Sequence, residues 1–190
     1  STPQDRRELM DLVERMQGAF TTIAKSKIPT IALAHGFCIG GATSLVSACD
    51  IRLATKDAKF SIGETKLGLV ADVGVIQRMP KIVSSGDMNE LALTGRIFDG
   101  EHAEKIRFVS KVYENSDDLF EAGEKLANEI SSNSKRIVQA TKEALEKSSN
   151  LTVDQGLEYA KLWSTSFLVS EDLREGVMAF LEKRDPKFNE

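Results

Sequence analysis

The sequence is poor in the residues that build disulfide frameworks, metal centres and membrane spans. Its 190 residues include two cysteines and two histidines, and no run of 18 apolar residues occurs. Cys38 and Cys49 lie in apolar segments, which indicates small buried side chains in a reducing compartment. His35 and His102 lack the spacing of metal ligands, so we expect no zinc site. We also expect no membrane span and no signal peptide.

The charges are nearly balanced. The chain has 25 basic and 29 acidic residues and a formal net charge of -4, which disfavours a general nucleic-acid surface. Its length is enough for a buried core, so we expect one domain with a helical appendage.

One glycine-rich stretch stands between a predicted strand and a predicted helix. The apolar run 31–34 is followed by residues 35–41, which contain three glycines, and then by the helix-like run 42–48. Because Gly40 and Gly41 have no Cβ, a ligand can approach their backbone closely. Free N–H groups at a helix start suit a developing oxyanion, and the dinucleotide and phosphate-loop patterns are absent. This segment alone favours close helix–strand packing, and if a ligand binds here we predict a thioester or ester carbonyl rather than a phosphate.

The remaining pattern predicts an α/β fold with helices at the C-terminal end. We predict a first helix at residues 3–25 with Thr2 as its N-cap, and a division near Gly100 into a core, 1–100, and an α-helical C-terminal region, 101–190. The predicted strands are 30–34, 50–54, 58–62 and 108–113, the predicted loop is 63–74, and the other predicted helices are 75–83, 87–94, 101–107, 117–132, 135–147, 152–169 and 171–183.

Two carboxylates flank an apolar part of the loop. Glu64 and Asp72 stand on either side of residues 67–71, which are apolar apart from Gly68. We expect apolar side chains such as Leu69 and Val70 to surround at least one of them, which suits general acid/base chemistry. The alternative is that both carboxylates are ordinary solvated surface groups.

Several separated motifs occur in order along the chain, namely Pro29-Thr30-Ile31-Ala32, His35-Gly36, Ile39-Gly40-Gly41, Cys49-Asp50-Ile51-Arg52, Ala58-Lys59-Phe60 and Glu64-x-x-x-Gly68-Leu69. Together they resemble the enoyl-CoA hydratase/isomerase (crotonase) superfamily over nearly the whole chain. The resemblance implies the ClpP-like fold of stacked ββα turns, a CoA-thioester substrate and no separate cofactor. It also implies a C-terminal helical region that forms trimers or hexamers. The family domain begins upstream of Ser1, so we expect that its N-terminal strands are missing here.

The resemblance also implies roles for individual residues. The N–H of Gly41 corresponds to one of the two oxyanion-hole donors, and such a donor contributes about 3–4 kcal/mol. Glu64 matches one of the two catalytic glutamates of the hydratases. The other falls at Ser44, which cannot act as a carboxylate, and this argues against an efficient hydratase.

Residues 68–74 are similar to the Δ3,5-Δ2,4-dienoyl-CoA isomerases, in which an aspartate at the position of Asp72 works with the glutamate. Moving two double bonds takes a proton from C2 and returns one to C6, which two separated carboxylates serve better than one. These isomerases usually carry a further aspartate where this chain has Ser44. The predicted substrate contacts are Gly40, Leu69, Phe180 and Lys183, with the alternative that Phe180 is core and Lys183 is solvated.

The sequence leaves other functions open. A Δ3-Δ2-enoyl-CoA isomerase needs Glu64 alone, a hydratase is the next enzymatic alternative, and a noncatalytic binding or assembly subunit is an alternative of another class. The C-terminal residues 187–190 are not a Ser-Lys-Leu-type peroxisomal signal, so we expect the mitochondrial matrix or the cytoplasm. We expect a trimer or hexamer in which the body of the same or of a neighbouring subunit buries the apolar side chains of the last helices, among them Leu157, Trp163, Phe167, Leu168, Val177 and Phe180.

Overall fold

The computed structural model describes residues 2–188, so residues 189 and 190 of the C-terminal segment 187–190 lie outside the described range. The chain divides into two units, residues 1–26 with 30–124 and residues 27–29 with 125–190. They do not coincide with the predicted segments 1–100 and 101–190. No helix in the described range is long and apolar enough to cross a membrane.

In the first unit, the chain twice forms a strand of one sheet and then a strand of a second sheet. Strand β1 (Ile31–Ala34) is followed by β2 (Phe37–Ile39) and helix α2 (Gly41–Ser47), and then by β3 (Ile51–Thr55) and β4 (Lys59–Ser61). β1 pairs in parallel with β3, and β2 pairs in parallel with β4. This is the stacked ββα arrangement that the resemblance implied, and it confirms the predicted α/β fold.

Two more strands complete the sheets. β5 (Phe98–Asp99) pairs antiparallel with β4, and β6 (Lys111–Tyr113) pairs in parallel with β3. Because β6 adds to a sheet built by β1 and β3, the first unit continues well past Gly100. The other helices here are α1 (Pro3–Ala24), α3 (Val75–Arg78), α4 (Ser85–Thr94), α5 (Gly100–Lys105) and the start of α6 (Ser116–Ser131), with 3-10 helices at Gly63–Leu67 and Met79–Lys81.

Helix α1 begins as the sequence predicts. The Thr2 hydroxyl accepts from the Asp5 N–H at 3.2 Å, and the Asp5 carboxylate accepts from the Thr2 N–H at 2.6 Å. This capping box satisfies N–H groups at the start of the helix, and Pro3 needs no donor there. None of the residues 3–24 is fully buried, so α1 lies on the surface of the unit.

Three phenylalanines lie at the centre of the first unit. The ring centroid of Phe60, on β4, is 5.5 Å from that of Phe98 and 5.5 Å from that of Phe108. All three side chains are buried, together with Val75 and Met79 from the region of α3. This cluster supports β4, and the residues that follow β4 carry the candidate site.

Residues 35–41 contain a strand that the sequence does not predict. Phe37–Ile39 is strand β2, and the pairing of Cys38 with Phe60 places it in the second sheet. Strand β5 was not predicted either, and the predicted strand 108–113 is shorter, because only Lys111–Tyr113 pairs. The other predicted helices and strands are present with ends shifted by a few residues, except that the predicted helix 75–83 is α-helical only over Val75–Arg78 and is followed by the 3-10 helix Met79–Lys81.

The second unit consists of helices. It contains the end of α6 and all of α7 (Lys135–Ser148), α8 (Val153–Phe167) and α9 (Glu171–Glu182). Trp163 stacks on Phe167 with ring centroids 5.7 Å apart, and both line a cavity of about 370 Å³ between α7 and α8.

Other apolar side chains of the second unit remain exposed. The exposed fraction is 62% for Leu157, 66% for Leu168, 49% for Val177 and 82% for Phe180. The alternative that Phe180 belongs to the core of this chain is therefore wrong. Burial of these side chains by a neighbouring subunit stays a prediction.

Candidate functional site

The start of α2 is fixed where β2 and β4 end. Ile39 is the last residue of β2 and is in register with Ser61 of β4, and the N–H of the next residue, Gly40, donates to the Ser61 carbonyl at 2.9 Å. The buried Thr43 hydroxyl lies 2.5 Å from the Cys38 carbonyl and 3.0 Å from the Ser61 carbonyl. These bonds join the first turn of α2 to both strands.

Gly40 is followed in the sequence by Gly41, and the side chain of Glu64 packs against Gly40. Gly41 is the first residue of α2, so its N–H has no partner within the helix. Glu64 lies three residues beyond β4, and its Oε1 is 3.4 Å from where a Cβ on Gly40 would stand. Glu64 Oε2 is buried without a hydrogen-bond partner within residues 2–188. The structure therefore brings a carboxylate to the start of α2, beside the candidate oxyanion donor.

The segment that carries Glu64 is anchored to α4. The Thr65 hydroxyl donates to the Ala92 carbonyl at 2.7 Å, and the Ser61 hydroxyl donates to the Gly95 carbonyl at 3.2 Å. These two contacts hold the chain immediately before and after the carboxylate. The backbone of Glu64 is thus positioned by the C-terminal end of α4.

Asp72 lies on a segment that contacts α1. Its side chain is exposed, whereas the neighbouring Ala71 and Val73 are each 5% exposed. The Asp72 carbonyl accepts a hydrogen bond of 2.6 Å from Nε2 of Gln17. Sequence reasoning did not identify Gln17, because a glutamine in the middle of a helix carries no signal of its partner.

The expectation that Leu69 and Val70 surround one of the two carboxylates is wrong for Asp72, whereas Oε2 of Glu64 is buried. Leu69 is 60% exposed and Val70 is 77% exposed, and the Asp72 side chain near them is exposed as well. These residues lie in a loop without regular secondary structure, and their side chains remain outside the core. Any apolar wall around Asp72 must come from bound substrate or from other chain segments.

Ser44 occupies the interior of α2. It is completely buried, and its hydroxyl has no hydrogen-bond partner among the described residues. A serine hydroxyl there supplies no charge at the position where the resemblance implied a second carboxylate. Ser44 therefore cannot act as a second carboxylate beside Glu64.

Phe180 and Lys183 belong to the second unit. Lys183 is the C-cap of α9, with a φ of 55°, and its side chain is exposed. The chain after it is held by Glu175, which accepts a bidentate pair from Arg184 at 2.6 and 3.0 Å. Contact of Phe180 and Lys183 with the nucleotide end of CoA stays a prediction.

The described residues contain no group of three or more His, Cys, Asp or Glu side chains that could hold a metal ion. Burial raises the pKa of the Cys38 thiol to about 11, partly offset by the Thr43 hydrogen bond. This thiol is therefore protonated at neutral pH and is a poor candidate nucleophile.

The sequence matches the family described as "Enoyl-CoA hydratase/isomerase" over residues 4–190. The chain belongs to the enoyl-CoA hydratase/isomerase family. It is 47% identical over 188 residues to a mitochondrial Delta(3,5)-Delta(2,4)-dienoyl-CoA isomerase of Dictyostelium discoideum, which covers 99% of this chain and 64% of that protein. It is 42% identical over 181 residues to a peroxisomal Delta(3,5)-Delta(2,4)-dienoyl-CoA isomerase of Arabidopsis thaliana, which covers 95% of this chain and 65% of that protein.

The solved structures of this family show the same fold. An enoyl-CoA hydratase from Bacillus anthracis superposes with a TM-score of 0.89 at 28% identity, over 99% of this chain and 71% of the other. The chain thus has the crotonase fold. It spans less than two thirds of the length of the two isomerases named above.

Proposed function

We propose that this chain carries the acid/base residues of a Δ3,5-Δ2,4-dienoyl-CoA isomerase that acts in fatty acid β-oxidation. The observation that supports the proposal most is the carboxylate of Glu64 beside Gly40, next to the N–H of Gly41, which has no partner within α2. The identity of 47% to an isomerase of that name supports the substrate class.

In this proposal, the thioester carbonyl oxygen accepts a hydrogen bond from the N–H of Gly41. A carboxylate removes a proton from C2, and the electron pair left on C2 is delocalised onto the carbonyl oxygen and along the conjugated double bonds to C6. The resulting extended enolate is stabilised by the N–H, and such a donor contributes about 3–4 kcal/mol. A proton returned to C6 then leaves double bonds at C2 and C4, so the reaction neither gains nor loses atoms and needs no cofactor.

Two carboxylates serve this reaction better than one because C2 and C6 are far apart. Glu64 and Asp72 are the proposed pair, and they are anchored to different helices, α4 and α1. Each can exchange a proton at its own end of the acyl chain. Gly40 and Leu69 are the proposed contacts near the reacting carbons, and Phe180 and Lys183 are those near the nucleotide.

Ser44 argues against the enoyl-CoA hydratase alternative, because hydration needs a second group to hold and activate water. The exposure of the Asp72 side chain leaves room for a Δ3-Δ2-enoyl-CoA isomerase that uses Glu64 alone. A noncatalytic subunit is the alternative of another class. One set of variants separates all three.

The test uses the natural full-length protein and a 3,5-dienoyl-CoA, with isomerisation followed as the absorbance of the conjugated diene. We expect Glu64→Gln and Asp72→Asn each to lower kcat by about 10²-fold or more, with thioester binding nearly unchanged. Glu121→Gln and Asp57→Asn, which change exposed carboxylates elsewhere in the first unit, are the matched controls.

Each result has a clear meaning. Loss of activity in Glu64→Gln alone would identify a one-base enoyl-CoA isomerase. No turnover by the unmutated protein, with retained CoA-thioester binding, would favour a noncatalytic subunit. Hydration of a 2-enoyl-CoA at a higher rate than diene isomerisation would favour the hydratase.

We also propose a trimer or hexamer built partly by the second unit, because several apolar side chains of α8 and α9 are exposed in the single chain. Sedimentation at micromolar concentration tests this, and a strictly monomeric species would contradict it. The mitochondrial name of the Dictyostelium isomerase supports the mitochondrial matrix as the compartment, and the cytoplasm is the alternative. Imaging of the natural protein with free termini would distinguish them.

A further inference from the structure

Two side chains of α1 form hydrogen bonds near Asp72, one to the backbone of Asp72 and one to the side chain of Arg78 in α3. Gln17 donates from Nε2 to the Asp72 carbonyl at 2.6 Å. Thr21 lies one helical turn further along and accepts a hydrogen bond of 3.1 Å from Nη2 of Arg78. The Gln17 bond holds the backbone of Asp72 directly, whereas the Thr21 bond holds the side chain of Arg78.

Arg78, which is bonded to Thr21 of α1, also contacts the residues that follow Asp72. Its Nη1 lies 3.4 Å from the Val73 carbonyl oxygen, and the guanidinium fills the space beside Gly74. A Cβ on Gly74 would stand 1.8 Å from Nη1, and the φ of Gly74 is 119°, which also favours glycine. Arg78 therefore links α1 to the two residues that follow Asp72.

The same part of α1 also reaches the start of α2. Cε of Met16, the residue before Gln17, lies 3.9 Å from where a Cβ on Gly41 would stand. One stretch of α1 thus contacts both the candidate oxyanion donor and the backbone of Asp72. Glu64, in contrast, is held by α4 through Thr65.

We propose that Gln17 and Arg78 are positioning residues that use α1 to fix the Asp72 carboxylate relative to the Gly41 N–H. The inference rests on the proposed function, because it assigns Asp72 a place in proton transfer. Neither side chain contacts the reacting atoms; each acts through the backbone of residues 72–74. A shift of about 1 Å in a reacting group can lower a rate by about 10²-fold, so such anchoring matters for the rate.

The test compares two substrates and two positions. Gln17→Leu removes the donor, and Gln4→Leu is the matched control, because Nε2 of Gln4 donates to Glu8 at the other end of α1. We expect Gln17→Leu to lower kcat on a 3,5-dienoyl-CoA by about 10-fold or more, with a KM nearly unchanged. The rate on a 3-enoyl-CoA, whose 1,3 shift needs Glu64 alone, should stay within about 2-fold.

A double-mutant cycle tests whether Gln17 acts through Asp72. In an Asp72→Asn background, Gln17→Leu should add no further loss, because the group that it positions is already absent. A loss of the same size in both backgrounds, or an equal loss on both substrates, would show a merely structural role and would overturn the inference.

Thr21 offers a conservative pair for the Arg78 contact. Thr21→Ser keeps the hydroxyl that accepts from Arg78, and the nearly isosteric Thr21→Val removes it. We expect Thr21→Val to lower the diene reaction selectively and Thr21→Ser to retain it. Equal rates for the two variants would remove Arg78 from the proposal.

Amide hydrogen exchange separates failure of this inference from failure of the proposed function. We expect the Val73 and Gly74 amides to exchange about 10-fold faster in Gln17→Leu and to be unchanged in Gln4→Leu. Unchanged exchange in both variants would show that Gln17 does not anchor the segment, whatever the enzyme does. Faster exchange in a protein that isomerises neither substrate would reject the proposed function and, with it, a positioning role.

Discussion

Glu64 lies directly against Gly40, with Oε1 3.4 Å from the position that a Cβ on Gly40 would take. Gly40 has a φ of 58° and a ψ of -116°, a conformation that residues with a side chain rarely adopt. The same glycine therefore permits the turn from β2 into α2 and leaves room for the carboxylate. Both properties are needed to place Glu64 beside the N–H of Gly41.

The first prediction concerns Gly40→Ala. The added Cβ forces an unfavourable backbone conformation, so we expect a loss of about 1–3 kcal/mol in the free energy of unfolding. The methyl group also presses against Glu64, so the isomerisation rate should fall in the fraction that remains folded. Chemical denaturation and kinetics measure the two effects.

The matched control for that prediction is Gly18→Ala. Gly18 lies within α1, and a Cβ there meets nothing within 4 Å. Alanine is the better helix former, so this change should raise the free energy of unfolding by up to about 1 kcal/mol. If Gly40→Ala were as stable as Gly18→Ala, the backbone argument would be wrong.

The second prediction compares two buried serines of α2. The Ser44 hydroxyl has no partner among the described residues, whereas the Ser47 hydroxyl donates to the Ser44 carbonyl at 2.7 Å. Ser44→Ala should leave the free energy of unfolding unchanged or raise it by up to about 1 kcal/mol, because it removes an unsatisfied polar group. Ser47→Ala should lower it by about 1 kcal/mol. If Ser44→Ala lowered the free energy of unfolding more than Ser47→Ala does, the Ser44 hydroxyl would have a partner such as an ordered water.

Local signals in the sequence predicted much of the fold. The capping pattern of Thr2, Pro3 and Asp5 predicts the start of α1, and apolar spacing predicts the helices of the second unit. The motifs around Gly40 and Glu64 carried the family resemblance, which the match over residues 4–190 confirms.

Long-range pairing was harder to predict. Strand β2 has three residues, and it forms because Cys38 pairs with Phe60, 22 positions away in the sequence. The boundary near residue 124 likewise depends on β6, which joins the sheet of β1 and β3. The bond from Gln17 to the Asp72 carbonyl joins a side chain to a backbone 55 residues away, so neither residue type indicates it.

The third prediction concerns pH. The folded protein holds the pKa of Cys38 at about 11, against an ordinary value of 9.0, because burial disfavours the thiolate. Between these pH values the unfolded chain binds fewer protons than the folded protein, so the free energy of unfolding falls as pH rises. This contribution is fully present below pH 9 and its slope is at most about 1.4 kcal/mol per pH unit.

Denaturation in a Cys49→Ala background, where Cys38 is the only thiol, measures that slope. Cys38→Ala in the same background should show a shallower fall between pH 9 and pH 11, because it has no thiol to titrate. Identical slopes would contradict a raised pKa for Cys38.

The last prediction concerns Lys183. Its backbone has a φ of 55° at the end of α9, and Glu175 holds the following chain through Arg184 and the Lys187 N–H at 2.7 Å. The exposed ammonium group therefore projects from an anchored turn. Lys183→Ala keeps a Cβ in the same conformation, so the change removes the charge with little effect on stability.

If Lys183 contacts the phosphates of CoA, Lys183→Ala should weaken CoA-thioester binding several-fold at low ionic strength, since an exposed ion pair contributes about 1 kcal/mol or less. The difference should shrink as salt is added. Lys161→Ala removes an equivalent exposed charge, paired with Glu158, from the same unit and should leave binding unchanged. Titration calorimetry at two salt concentrations distinguishes a specific contact, which only Lys183→Ala weakens, from a general effect of net charge, which both variants share. Unchanged affinity in Lys183→Ala at low salt would show that this lysine is simply solvated.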